Sequence, residues 1–214
     1  MRRCIYGVLH PRACSRSDRA MYRVIITFSL LVVCCFLSSQ TLFAQLNRQQ
    51  HYDSLKALLP EITDNYGRGV VLGQLSDIVL HYNPKESYGY ATQLIDLAKR
   101  LKDDSLQMLG EFRAANARAV VSHLQPSLQH ARRGEAHAKT IGQDRLRLEL
   151  LLLQGSILEN MLRRDSALMI YKKSRVLAER INNMRGVTRA DHGWARTMMH
   201  KGDANWHRDS AYAV

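Results

Sequence analysis

A forty-residue internal repeat is the feature of this sequence that most constrains its fold. Three segments align at that offset without gaps: "AKRLKDD" beginning at Ala98, "AKTIGQD" at Ala138 and "AERINNM" at Ala178. Further positions that fall in register are Ser87, Ser127 and Ala167, together with Leu75, Ala115, Gly155 and Ala195. Self-similarity at a fixed period of this length is typical of repeat proteins, whose units pack against their sequence neighbours.

Each unit is predicted to contain two helices. Beyond the first 44 residues, apolar residues spaced three and four apart dominate, and no alternating strand pattern competes with them. In the third unit we expect helix A from about Arg145 to Leu162 and helix B from about Ser166 to Ile181, with Asp165 as the N-cap of helix B. Pro84 and Pro126 are expected in the region between helices A and B of the first two units, where a helix must end or begin.

The third unit, "LLLQGSILENMLRRDSALMIYKKSRVLAERI", resembles a tetratricopeptide repeat. That pattern has a small residue in helix A, a large apolar residue three positions later, and an alanine twelve positions after the small residue. Gly155, Leu158 and Ala167 occupy those positions, and we expect Gly155 and Ala167 to let the two helices approach closely. The fourth unit matches the pattern through "WARTMMHKGD", and the first unit matches it more loosely. The second departs most, with Arg118 where a large apolar residue is expected.

The resemblance covers roughly residues 67–214, with units at about 68–104, 108–144 and 148–184 and an incomplete unit at 188–214. An N-terminal helix or linker at 45–66 precedes them. The resemblance implies an all-α fold, an α-solenoid of antiparallel helix pairs, which needs no cofactor. It also implies a groove, lined by the A helices, that binds a protein or peptide.

The family's groove-facing positions supply the candidate binding residues. One row is Ser76, Asn116, Ser156 and Arg196; a second is Leu80, Val120, Asn160 and His200; and Glu159, Arg189 and His192 lie nearby. Asn116, Ser156 and Asn160 are polar where a helix interior would prefer an apolar residue, which indicates either ligand contact or simple exposure to solvent.

The N-terminal segment is predicted to direct export. Met21 begins a basic start, followed by the apolar run "VIITFSLLVVCCFL" and by a small residue, Ala44. These are the three parts of a secretory signal peptide at 21–44, and the run is shorter than the ~20 residues of a membrane-spanning helix. Cleavage after Ala44 and retention as an anchor both remain open. Residues 1–20 are interpreted as an extension, with Met21 as a plausible true start.

The layout of signal peptide, "YDSLKALLP" (Tyr52–Pro60) and degenerate repeats resembles the extracytoplasmic sensor regions of Bacteroidetes-type histidine kinases and related regulators. This implies a periplasmic or cell-envelope location and a role in two-component signal transduction, with the chain truncated before its transmembrane helix and kinase or regulator domain. Membrane association would then come from an uncleaved N-terminal segment or from a missing C-terminal part. The alternatives are a stand-alone periplasmic or secreted scaffold and, less favoured, a cytoplasmic RNA-binding repeat.

Composition excludes several other classes of site. All four cysteines precede Ala44, so the mature chain has no disulfide framework. Residues 45–214 hold 25 basic and 18 acidic residues, but the basic ones are dispersed, unlike the stripe of a nucleic-acid binder. His123, His130 and His137 recur every seven residues rather than at the four-residue spacing that suits a metal. Ser166 beside Asp165 has no base, so no catalytic role is expected.

Overall fold

The computed structural model describes residues 47–201, and within that range the secondary structure is entirely helical. From Tyr52 onward these residues belong to one compact unit. The helix over 47–58 is α1, and the others are α2 Asn65–Val79, α3 Pro84–Leu101, α4 Asp104–Val120, α5 Leu124–Thr140, α6 Asp144–Asn160, α7 Arg164–Arg180 and α8 Met184–Lys201. The predicted signal peptide, the cysteines and the end of the fourth unit lie outside the described residues.

Successive helices from α3 onward begin twenty residues apart, at 84, 104, 124, 144, 164 and 184. The turns that connect them share one geometry, with the second residue before the next helix in the left-handed conformation: Lys102, Ser122, Gly142, Leu162 and Asn182. In each turn the following N–H donates to a carbonyl five residues back, as from Arg163 to Leu158, which is the closing bond of a Schellman motif. The forty-residue repeat is therefore built from two half-units of twenty residues that share one turn.

The predicted N-cap of α7 is wrong, whereas the two prolines stand where a helix begins, as predicted. Arg163 is the N-cap of α7 and has no side-chain capping bond, so Asp165 lies inside the first turn, where its charge suits the positive end of the helix dipole. Pro84 is the first residue of α3, and Pro126 lies in the first turn of α5. A proline is tolerated there because the first N–H groups of a helix have no partner within the helix.

Helix packing follows sequence order. Each helix from α2 to α7 packs against the next, and α2, α4, α6 and α8 also contact one another in succession, whereas α3, α5 and α7 do not. We call α2, α4, α6 and α8 the A helices and α3, α5 and α7 the B helices. The predicted all-α solenoid of helix pairs is confirmed. Its pairs begin at 65, 104, 144 and 184, three or four residues before the expected unit boundaries.

Small residues stand where helices A and B meet. A Cβ at Gly155 would lie 2.6 Å from the ring of Tyr171, so the aromatic ring of α7 fills the space that a side chain on α6 would need. In the second pair the Ser127 hydroxyl donates to the Ala115 carbonyl at 2.7 Å. In the first pair the Ser87 hydroxyl donates to the Ser76 carbonyl at 2.8 Å. Ser76 therefore takes the place of Ala115.

Helix α2 is consequently out of phase with the other A helices by one residue, whereas α3 stays in register. α2 begins 39 residues before α4, not 40, because its N-cap is Asp64 while that of α4 is Asp103. Ser76 is 1% exposed, and its hydroxyl is bonded to Ser87 within the contact between α2 and α3. It cannot offer that hydroxyl to a ligand, which corrects its assignment to the groove row. Asp77 occupies the exposed position instead.

Two large apolar clusters form the core. One joins Tyr52 and Leu55 of α1 to α2, α3 and Leu106, and the other runs from α4 to α8 around the fully buried Leu148 and Leu150. Between residues 47 and 201, no helix combines the length and the apolar content needed to cross a membrane.

Candidate functional site

The exposed side of the A helices is the candidate binding surface, which we call the A face. Corrected for the one-residue shift, its main row consists of Asp77 on α2, Asn116 on α4, Ser156 on α6 and Arg196 on α8. Asn116 and Ser156 are half-buried, and Asn160, Arg189, His192 and Arg196 are exposed. The side chain of His200 lies outside the described residues.

Ion pairs join α6 to α8 at two levels of this face. Arg189 Nη1 donates to both carboxylate oxygens of Glu149, at 2.6 and 2.7 Å. Arg196 forms a two-pronged pair with Glu159, with both distances 2.6 Å. His192 lies on the same side of α8 between the two arginines, since residues three and four apart share a helix face. The structure thus brings together Glu159, Arg189, His192 and Arg196.

The Glu159–Arg196 pair is anchored to the core through a tyrosine. The Tyr171 hydroxyl, at the end of a 3% exposed side chain, donates to Glu159 at 3.1 Å. Burial and the neighbouring carboxylate raise the pKa of Tyr171, so the group stays a neutral donor. The hydrogen bonds to Glu159 raise the pKa of Arg196. A helix-packing residue of α7 therefore fixes the position of a charged pair on the A face.

A similar pair marks the other end of the face, between α2 and α4. Arg113 donates to Asp77, whose side chain is partly exposed. Burial raises the pKa of Asp77, and the attraction of Arg113 opposes that rise. Both ends of the A face thus carry an arginine paired across neighbouring A helices.

The middle of the A face carries uncharged polar groups. Asn116 donates one N–H to the Phe112 carbonyl of its own helix, at 3.1 Å, and its amide keeps further hydrogen-bonding capacity. Ser156 and Asn160 lie on α6, with the exposed Val120 at the end of α4. This stretch offers amide and hydroxyl groups, which can both donate and accept hydrogen bonds, beside exposed apolar surface.

A buried polar cluster on α3, α4 and α5 was not found from the sequence. Glu111 is 2% exposed, with its carboxylate oxygens 2.7 Å from His130 Nδ1 and 3.0 Å from Arg133 Nε. The Tyr88 hydroxyl lies 3.4 Å from His130 Nε2, and Arg118 stacks 3.7 Å over the Tyr88 ring. Burial alone would raise the pKa of Glu111, but the bonds from His130 and Arg133 outweigh it and lower the pKa.

The repeat itself holds the signal for this cluster. Forty residues after Glu111 and His130 stand Leu151 and Ile170, so the second unit places charge where the third has apolar side chains. Arg118, noted for its departure from the repeat pattern, belongs to the same cluster.

The three evenly spaced histidines have separate partners. His123 contacts Arg118 and His137 contacts Asp104, while His130 belongs to the Glu111 cluster. Among the described residues, no group of three or more His, Cys, Asp or Glu side chains gathers in a way that could hold a metal ion.

Comparison with solved structures identifies the type of fold. No family model matches the sequence, and no curated protein matches it. The structure is similar to the crystal structure of a Rap protein complexed with Competence and Sporulation Factor, with a TM-score of 0.66 and 18% sequence identity. The match covers 76% of this chain and 46% of the other, so this chain spans about half the length of its neighbour. The chain thus has the fold of a TPR-like helical repeat protein.

Proposed function

We propose that this chain is a binding module that holds an extended or helical segment of a protein or peptide on the A face. The observation that carries the proposal is the uncharged polar middle of this face, between ends fixed by arginine pairs. Asn116, Ser156 and Asn160 can hydrogen-bond a peptide backbone, whose groups need both donors and acceptors. The complex in which the Rap neighbour was solved supports a binding role for the fold.

Peptide selection tests this proposal. A displayed random peptide library is panned on purified residues 45–214, and the affinities of selected peptides are measured by fluorescence polarisation. We expect Asn116→Ala combined with Asn160→Ala to weaken binding about tenfold, which corresponds to roughly 1.4 kcal/mol. Gln93→Ala, at an exposed position on a B helix, is the matched control. Selected peptides that bind the double variant as tightly as the control would contradict the proposal.

We further propose that the module is exported and forms the extracytoplasmic sensing part of an envelope signal-transduction protein. The Met21–Ala44 pattern supports export. N-terminal sequencing of the protein from cell fractions is expected to find Gln45 as the first residue in the envelope or periplasm. An intact Met1 in the cytosol would contradict export and would favour the cytoplasmic RNA-binding alternative.

Size distinguishes the sensor from the stand-alone scaffold. An antibody raised against residues 45–214 is used on separated membrane and periplasmic fractions. A membrane-bound band well above the chain's 24.5 kDa supports a longer signalling protein. A periplasmic band no larger than that mass supports the scaffold instead.

A further inference from the structure

A groove of about 520 Å³ runs along α7, away from the A face. Arg147 and Leu151 of α6 line it together with α7 residues between Met169 and Arg180. We call it the α7 groove. Among the described helices α7 packs only against α6 and α8, which leaves this side of it open.

Exposed apolar side chains line the α7 groove. Met169 and Val176 are 73% and 59% exposed. They stand seven residues apart, so they lie on one side of the helix. Ile170 and Leu177 line the groove beside them, and Leu151 and Leu177 are buried at 2% and 5% exposure. A ligand in the groove would therefore meet a continuous apolar surface.

The charged residues of the α7 groove are all basic. Lys172 and Lys173 lie between the two exposed apolar residues, and Arg147 and Arg180 complete the lining. α7 as a whole holds five basic and two acidic residues. The two arginines already pair with acidic residues, Arg147 with Glu135 and Arg180 with Asp144. Neither lysine forms an ion pair within the described part of the chain, so both cations are available to a partner.

The fold itself does not require this composition. Forty residues earlier, Glu111, Gln129, His130 and Ala136 stand where Leu151, Met169, Ile170 and Val176 stand. The second unit thus builds the same helix pair with polar or smaller side chains at these positions. The exposed apolar character therefore distinguishes the third unit from the second, whereas the basic pair is shared, because Arg132 and Arg133 stand where Lys172 and Lys173 stand.

We propose that the α7 groove binds an acidic amphipathic helix of a partner protein, with apolar side chains against Met169 and Val176 and carboxylates beside Lys172 and Lys173. The stretch from Met169 to Arg180 is about 16 Å long, which matches roughly three turns of a partner helix. A helix laid in a groove with its apolar face inward is a common mode of recognition. A concave surface also suits an inserted side chain better than a flat bilayer.

Two synthetic peptides of about sixteen residues test the proposal by fluorescence polarisation with purified residues 45–214. Both carry leucines at helical three- and four-residue spacing; one has glutamates at the other positions, and its counterpart has lysines. We expect the glutamate peptide to bind at least tenfold more tightly than the lysine peptide. Because the lysines are exposed, we also expect this preference to shrink as salt increases.

Variants identify the site. Met169→Gln combined with Val176→Gln is expected to weaken binding of the glutamate peptide at least tenfold, and Lys172→Glu combined with Lys173→Glu is expected to do the same. Met184→Gln is the matched control, because Met184 is also a methionine with 73% exposure but lies at the start of α8. All the changed side chains are exposed, and circular dichroism checks that each variant folds.

Three outcomes would overturn the proposal: no binding of the glutamate peptide, equal binding of the two peptides, or binding that the groove variants do not weaken. Vesicles of phosphatidylcholine with one third phosphatidylglycerol form a separate arm. Binding to these vesicles that requires Met169 and Val176, without binding of the glutamate peptide, would identify a membrane-contacting surface instead.

Discussion

Replacing the buried Glu111–His130 pair by the residues of the next unit should leave the protein at least as stable as the natural chain. The variant is Glu111→Leu combined with His130→Ile, copied from Leu151 and Ile170. By contrast, Glu111→Leu alone should be strongly destabilising. The two results together separate the net contribution of the pair from the cost of leaving one partner alone.

The magnitudes follow from the burial of the pair. The side chains of Glu111 and His130 are 3% and 10% exposed, so neither can turn to water when its partner is removed. Breaking a buried pair costs about 3–5 kcal/mol. Arg133, the other partner, is half exposed and can be solvated, so we expect the lower end, about 3 kcal/mol, for Glu111→Leu. Replacing both members of such a pair by apolar residues ranges from neutral to about 1–4 kcal/mol stabilising.

Urea denaturation of residues 45–214 at pH 7, followed by circular dichroism, measures these free energies of unfolding. The two single variants, the double variant and the natural chain form a double-mutant cycle with an expected coupling energy of at least about 3 kcal/mol, because Glu111→Leu alone costs about that much and the double variant costs nothing. Additive single effects, or a double variant less stable than the natural chain, would refute this reasoning.

Further substitutions test the turns, the helix contacts and the effect of acid. Leu162→Gly is expected to raise the free energy of unfolding by about 0.5–1 kcal/mol, because a left-handed leucine (φ 59°) is strained; a lowered urea midpoint would contradict this. Gly155→Leu is expected to lower it by about 1–3 kcal/mol, because its Cβ meets the Tyr171 ring, and an unchanged midpoint would argue against that contact. Gly89→Ala, with nothing within 4 Å, should instead raise it by about 0.5–1 kcal/mol. Hydrogen bonds outweigh burial and lower the pKa of Glu111, so the stability that this carboxylate contributes is present above its ordinary pKa and is lost as pH falls through the folded-state pKa. The variant with Glu111→Leu and His130→Ile should therefore lose less stability in acid than the natural chain does. Equal losses in the two proteins would contradict this.

The sequence predicted the helix pairs and the contact at Gly155 because close helix packing restricts residue size at fixed intervals. It did not reveal the twenty-residue spacing, because the turns share a backbone conformation and not a residue type. Of the left-handed positions, only Gly142 and Asn182 carry residues that favour this conformation. Lys102 and Leu162 give no such indication.

The candidate binding surface was predicted less completely than the fold, for two physical reasons. Side-chain positions depend on where each helix starts, and the one-residue shift of α2 moved Ser76 into a helix contact and Asp77 to the surface. Ion pairs such as Arg196–Glu159 depend on the distance between helices that are far apart in sequence. No periodicity contains that information, although Glu159 and Arg196 were both among the candidate residues.

One kind of turn joins every pair of neighbouring helices from α3 to α8. Whether a helix is an A or a B helix therefore depends only on how many helices precede it in the chain. Removing forty residues from such an array returns every later helix to its former side. Removing twenty residues, one helix and one turn, would give each later helix the opposite role and bring α7-type surfaces onto the A face. Length changes in this chain should therefore be tolerated in steps of two helices, and a step of one helix should exchange its two candidate binding surfaces.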